Sequence, residues 1–158
     1  MSIGNLDAAV TFAVVLPSLL VAHTVADHWV QTSHQAGHKH LRNWVGRWNC
    51  FKHVATYTAV TALVVALVWA VLGLVITPVG FVLGQVVSAV THYWADRRFT
   101  LARLAAISGN AGFYRLGAPR DGHDDNPNLG TGAYVLDQSW HWLWLFVAAL
   151  LTAVVGGA

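Results

Sequence analysis

The sequence predicts an all-α membrane protein, a bundle of four transmembrane helices with both termini outside. Composition is the first ground. Of the 158 residues, 56% are hydrophobic and only 10% charged, Glu is absent, and mean hydropathy is +0.51. Soluble domains carry about 25% charged residues. Length is the second ground. A helix needs roughly 20 apolar residues to span the bilayer, so four spans with their connections nearly exhaust the chain. The third ground is charge placement, since all nine Lys and Arg fall on one side of the four apolar runs. A single transmembrane domain over residues 1–158 is expected, with no separate soluble domain.

The first helix runs from about Asp7 to Thr32, with a polar C-terminal third. Met1 to Leu6 lacks Lys and Arg, unlike the basic start of a signal peptide, so Ala8–Ala22 reads as a retained first helix. A polar, basic loop follows, Ser33–Trp48. The second helix spans about Asn49–Leu74, and Thr77-Pro78 breaks it. The third begins near Pro78, an acceptable first-turn position for proline, and reaches about Thr100. Leu101–Ile107 extends it along the interface. Ser108–Thr131 is a loop rich in Gly, Asp, Asn and Pro, and Gly132–Val155 is the fourth helix.

The basic residues are Lys39, Arg42, Arg47, Lys52, Arg97, Arg98, Arg103, Arg115 and Arg120. They lie in or beside the loops at about 33–48 and 101–131, whereas both termini and the Ile76–Gly80 turn have none. The positive-inside rule then places the two long loops in the cytoplasm of a multi-pass plasma (inner) membrane protein. Seven of the eight tryptophans, all but Trp69, fall near that same face, as an interfacial aromatic belt would. The expected partners are therefore the bilayer and anionic lipid headgroups, not nucleic acid. Small residues such as Gly73, Gly80 and Gly84 suit packing within the bundle or against a second copy, a homo-oligomer. Cys50 is the only cysteine, so an intramolecular disulfide is excluded.

Ionisable residues inside apolar helices are costly and by default mark function. Here they recur at one spacing: His23 and Asp27, His92 and Asp96, Asp137 and His141, each pair i, i+4 and so on one helix face. His53 joins them from the second helix. Because successive helices alternate in direction, all seven residues fall near the cytoplasmic face. Three buried Asp repel one another unless protonated or neutralised by cations. Divalent ions do that, and imidazole with carboxylate suits Zn, Mn or Fe. Ligands at i, i+4 on facing helices are how bundles build metal sites in their cores. Seven candidates exceed the four ligands of a closed site, so one or two ions are expected, with some residues supporting the ligands. His23, Asp27, His92, Asp96, Asp137 and His141 are the candidate ligands; His53 is the candidate general base or a further ligand. A metal with an open position activates water for hydrolysis.

Plainer readings stand beside this one. Asp96 precedes Arg97 and Arg98 and can be an interfacial ion pair, Asp137 can simply favour a helix dipole, and His53 can decorate an amphipathic face. Gln31, Gln138, Ser88 and Gln85 suit hydrogen bonding between helices. His28, His34, His38 and His40 form a solvated tract or a weak metal site. Cys50 and His53 make a C-x-x-H pair in which Cys50 reads as a small apolar filler. His123, Asp124 and Asp125 read as solvated loop residues, in a loop long enough to close over the site.

The elements HTVADHWVQT (His23 to Thr32), HVATYT (His53 to Thr58), HYWADRR (His92 to Arg98) and LDQSWHWLWLF (Leu136 to Phe146) occur in that order. Together they resemble the bacterial and phage membrane family catalogued as domain of unknown function 3307, and more distantly the membrane-bound metal-dependent hydrolases. The resemblance implies a small polytopic membrane protein, often actinobacterial or from a phage. It marks His23, Asp27, Gln31, His53, His92, Asp96, Asp137, Gln138 and His141 as the family-pattern positions and brings no established activity. The Ser108–Gly132 loop and the extra loop histidines depart from the pattern.

The expected function is thus a metal-binding membrane protein, with hydrolysis of a substrate at the cytoplasmic leaflet. An ester or phosphate-containing headgroup is the expected substrate, since Arg97, Arg98 and Lys52 flank the polar centre. The alternatives are a proton or cation transporter, which the lack of ionisable groups in Val10–Leu20 and Ala59–Leu72 disfavours, and a non-catalytic partner protein with a hydrogen-bonded polar core.

Overall fold

Helix caps and breakers divide the apolar runs of this chain, seen in a computed structural model that describes residues 3–123 and 131–155. Helix α1 (Ile3–Val25) passes into a π-helical turn over Ala26–Val30, closed by the Gln31 N–H donating to the Ala26 carbonyl at 2.9 Å. Thr32 then caps a short α2 (Ser33–His38) in a reciprocal pair with Gln35. Asn43 caps α3 (Trp44–Leu72), and Gly73 ends it in the left-handed region at φ 61°. Thr77 and Pro78 start α4 (Pro78–Asp96). Helices α5 (Phe99–Ile107), α6 (Ala111–Tyr114) and α7 (Gly132–Val154) complete the chain. Among the described residues there are seven α-helices and no strand.

These boundaries correct several expectations. The segment 33–48 is not a simple loop, because the capping box at Thr32 and the Asn43 cap make two helical starts within it. The helix expected over Leu101–Ile107 is present, but as a separate element rather than a continuation of the third helix. The chain turns sharply at Arg98, which has φ 52°, and α5 starts afresh. The loop from Ser108 contains α6 and is pinned to the start of α7 by the Gly132 N–H donating to the Leu116 carbonyl at 2.8 Å. Asp124 and Asp125 lie outside the described residues.

The long helices α1, α3, α4 and α7 run alternately up and down. At one end the Thr11 hydroxyl donates to the Val75 carbonyl at 3.3 Å and the Thr77 hydroxyl to the Val155 carbonyl at 2.6 Å. Helices α4 and α7 approach most closely at Gly80 and Gly84. A Cβ on Gly84 would sit 2.2 Å from Thr152 Oγ1 and 2.9 Å from the Ala148 carbonyl oxygen. Gly80 and Gly84 therefore serve packing inside the chain rather than a second copy, and Gly73 serves as a helix terminator.

The bundle is apolar outside and polar at one end inside. Along α4, Val79, Val82, Leu83, Val86 and Val90 are exposed, while Gly84, Gln85, Ser88, His92 and Asp96 are buried. Exposed Leu63, Leu67 and Val71 on α3, and Trp142, Leu143, Phe146 and Leu150 on α7, repeat the pattern. Two helical stretches, Asn5–Val30 and Trp44–Leu72, are long and apolar enough to cross a membrane.

Inside, Val15, Leu19, Val65, Leu145, Ala148 and Ala149 pack beside Val10–Leu20 and Ala59–Leu72, stretches without an ionisable group. Above them Thr61 donates to Gln85 Oε1 at 2.8 Å, and the hydroxyls of Tyr57 and Ser88 meet at 2.7 Å. These bonds confirm Gln85 and Ser88 as interhelical links and tie α3 to α4. Replacing Gly84 by Val should drive α4 and α7 apart at a backbone contact. Overpacking of that kind costs about 1–3 kcal/mol, so thermal unfolding in detergent should shift clearly downward, whereas Gly37→Ala, in open space, should not shift it.

Candidate metal centre

Three elements aim four side chains at one region in the polar end of the bundle. The π-helical turn supplies Asp27, the third turn of α3 supplies His53, and the last turns of α4 supply His92 and Asp96. The π turn matters locally: its extra residue reorients the backbone just where Asp27 leaves it, a distortion often found at functional sites. His53 Nε2 lies 3.0 Å from His92 Nε2, 3.3 Å from Asp27 Oδ1 and 3.2 Å from Asp96 Oδ2. His92 Nε2 lies 3.4 Å from Asp27 Oδ1 and 3.3 Å from Asp96 Oδ2.

That spacing has a direct chemical meaning. Donor atoms held tetrahedrally at 2.0–2.2 Å from a metal are about 3.3–3.6 Å from one another. The 3.0–3.4 Å contacts among Asp27, His53 and His92, and of Asp96 with the two histidines, are close to that spacing. Asp27 Oδ1 and Asp96 Oδ2 are buried, and their close polar neighbours in this cluster are the imidazole nitrogens of His53 and His92. Carboxylate oxygens gathered on imidazole nitrogens in a buried site suit a cation between them. Asp27, His53 and His92 form one of three groups in the described chain whose donor atoms can hold an ion.

The other two groups adjoin the first. His23, His92 and His141 form one, and Asp96, Asp137 and His141 form the other. His141 Nε2 is buried without a hydrogen bond and lies 3.6 Å from Asp137 Oδ2. His23 Nδ1 lies 3.6 Å from Asp27 Oδ2, so the two oxygens of Asp27 face different histidines. Gln138 links His23, at 3.3 Å, to Asp137, also at 3.3 Å. All seven residues singled out by spacing thus come together.

Sequence reasoning missed two supports. Lys39, read as a topology determinant, is buried and its Nζ donates to Asp96 Oδ1 at 2.7 Å. Its partner lies 57 residues away, so no spacing signals the pair. Tyr57, one helical turn from His53, stacks on the His92 ring at 3.9 Å with a 24° tilt, which the i, i+4 relation of His53 and Tyr57 could have suggested.

Other residues stay apart. Arg97 is buried but donates to the backbone carbonyls of Lys39 and Leu41, so it braces the break before α3 and is turned from any substrate. Cys50 is buried with its thiol 3.7 Å from the Tyr93 carbonyl, outside the three groups. His34 and His38 stack on each other at 4.2 Å, and His28 donates to the Thr24 carbonyl. Burial and the neighbouring Arg98 and Arg97 hold His40 below the ordinary imidazole value. Beside the centre opens a cavity of about 360 Å³, lined by Lys39, Asp96, Arg98, Tyr114, Tyr134 and Asp137 among others.

The Lys39–Asp96 pair generates a prediction. Removing one partner of a buried ion pair costs about 3–5 kcal/mol. Lys39→Met should therefore lower the unfolding midpoint by many degrees, with exposed Arg47→Met as an unaffected control; equal midpoints would remove Lys39 from the centre's support.

No curated protein and no solved structure matches this chain. The family model described as protein of unknown function (DUF3307) matches residues 15–157, a span that contains every residue of the cluster. With nearly the whole length matched, in the order of elements the sequence already displayed, the chain belongs to the DUF3307 family.

Proposed function

We propose that this chain is a four-span integral membrane protein that holds one or two divalent metal ions at its cytoplasmic end and hydrolyses a membrane-associated substrate there. The observation that carries the reading is the burial of Asp27 Oδ1 and Asp96 Oδ2 against the Nε2 atoms of both His53 and His92. In this reading His53 is a ligand, not a separate general base. His23, His141 and Asp137 hold a second ion, with Asp27 between the two positions.

The membrane part rests on the apolar exterior and on length. At about 1.5 Å per residue, α4 and α7 reach about 29 and 35 Å, close to the roughly 30 Å of a bilayer core. The basic residues all belong to the end that carries the metal cluster, which supports a cytoplasmic position for that end.

A divalent ion held by these ligands supplies Lewis acidity to an ester or phosphoryl oxygen. The chain's own residues do the rest. Lys39 orients Asp96 and offsets its charge, Tyr57 fixes the plane of the His92 ring, and Gln138 orients His23 and Asp137. The dry layer of Val15, Leu19, Val65 and Leu145 closes the bundle beneath the site, which favours chemistry at one face over conduction through it.

Elemental analysis of the detergent-purified protein tests the centre. One or two Zn, Mn or Fe per chain are expected, falling by at least one equivalent in Asp27→Ala and His53→Ala; a folded wild type without bound metal would end the proposal. Orientation has its own test. Thiol labelling of Gly37→Cys should occur from the cytoplasmic side and of Val75→Cys from the outer side, with Cys50 too buried to react. The reverse pattern would move the centre to the outer face.

A further inference from the structure

The cavity beside the metal cluster does not end at its polar wall. Leu101, at the first turn of α5, lines the polar cavity and also lines an apolar groove of about 320 Å³ between α5 and α7. The groove is walled by Leu104, Ala105, Leu136, Trp140 and Leu143, with Ser108, Asn110 and Ser139 also on its lining. The two spaces thus adjoin along one residue, one with cations, phenols and carboxylates, the other mostly with hydrocarbon. Leu104 and Leu143 are exposed on the outside of the bundle, so the groove opens toward the surface that faces lipid in the four-span reading.

The charge in the polar cavity is unevenly committed. Lys39 is held by Asp96, and Arg97 is turned to backbone carbonyls. Arg98, which also lines the cavity, makes no ion pair among the described residues. It is also the only non-glycine residue among them with positive φ, at 52°, a conformation that costs an L-residue energy and persists where the surroundings demand it. The turn at Arg98 carries the chain from α4 into α5 and leaves Arg98 exposed on the cavity lining, on the side of Tyr114. A guanidinium there pairs with carboxylate or phosphate, and phosphate is the anion a guanidinium fork and a divalent ion bind together.

We infer that the substrate is an amphiphile, a phospholipid whose phosphate sits against Arg98 beside the metal cluster and whose acyl chain lies in the α5–α7 groove. The inference rests on the metal-centre reading above. It goes further by assigning the two halves of the ligand to two walls of the structure, with Arg98 selecting the anionic headgroup. Arg97 and Lys52, which sequence alone grouped with Arg98, have no part in it.

Binding to the full-length, metal-loaded protein in nanodiscs tests this with three probes: dioctanoyl phosphatidic acid, dioctanoylglycerol and inorganic phosphate. The expected result is saturable binding of the phosphatidic acid, at least tenfold tighter than either of the other two. Arg98→Gln should weaken the phosphatidic acid at least tenfold and leave dioctanoylglycerol unchanged. Leu143→Trp, filling the groove, should weaken the phosphatidic acid and leave inorganic phosphate unchanged. Metal content is measured on every sample. Equal affinity for the three probes, or an unchanged affinity in Arg98→Gln, with full metal content overturns the inference while the metal centre stands. Preference for inorganic phosphate also overturns it, by showing a soluble anion as the ligand. A protein that lacks metal yet keeps the phosphatidic acid preference, lost in Arg98→Gln, upholds the lipid site and refutes the metal centre instead.

Discussion

Two buried carboxylate oxygens, each 3.2–3.4 Å from two imidazole nitrogens that are themselves 3.0 Å apart, are the constraint on which the rest of this structure depends. Two carboxylate oxygens and two imidazole nitrogens do not gather that closely in an apolar bundle without help. Burying an ion costs several kcal/mol, and the penalty is met only by opposite charge and well-placed hydrogen bonds. Each neighbouring feature answers that demand. Lys39 reaches in from the break after α2 to hold the free oxygen of Asp96. Arg97 holds that break in place through two backbone carbonyls. The π turn aims Asp27, and Tyr57 lies flat against His92 while its hydroxyl is satisfied by Ser88.

A bilayer around the helices, as proposed above, would explain the remainder of the packing. In water the helices would turn their valines and leucines inward. Here the polar residues turn inward and the exposed faces of α1, α3, α4 and α7 are hydrocarbon. Without a hydrophobic drive between helices, close approach must come from small residues and hydrogen bonds. Gly80 and Gly84 against Thr152 and Ala148 supply the first, and the Thr61–Gln85 and Tyr57–Ser88 pairs supply the second. The same pairs make a graded interior, dry at the end near Val75 and Val155 and charged at the end near Asp27 and Asp96.

How much of this the sequence disclosed follows from the range of each interaction. The i, i+4 spacing of His23/Asp27, His92/Asp96 and Asp137/His141 is a local property, and alternation of helix direction carries it to a shared end, so the cluster was legible. The all-helical class was equally so. Lys39 was not, because its partner is set by how the break between α2 and α3 folds back over α4, and a lone basic residue in a polar stretch carries no mark of that. The starts of α2 and α3 were hidden inside a stretch read as loop, although Thr32 with Gln35, and Asn43, are ordinary caps whose signal was overlooked amid the charge. The role of Arg98 depends on a backbone turn at φ 52° that no propensity predicts for arginine.

Charge balance connects the cluster to the cavity. Asp27, Asp96 and Asp137 bring three negative charges when ionised, and Lys39 is the ammonium in contact with them. With neutral imidazoles the cluster carries a net charge of about minus two, a state costly to bury and matched by a single divalent cation. A second divalent ion at His23, His141 and Asp137 would leave the centre positive by the same amount, in a medium that screens it poorly. An anion in the adjoining cavity restores neutrality. On the proposed reading the cluster would favour one ion when the cavity is empty and two when a phosphate fills it, so that substrate and second ion would bind together, each raising the affinity for the other by the same factor.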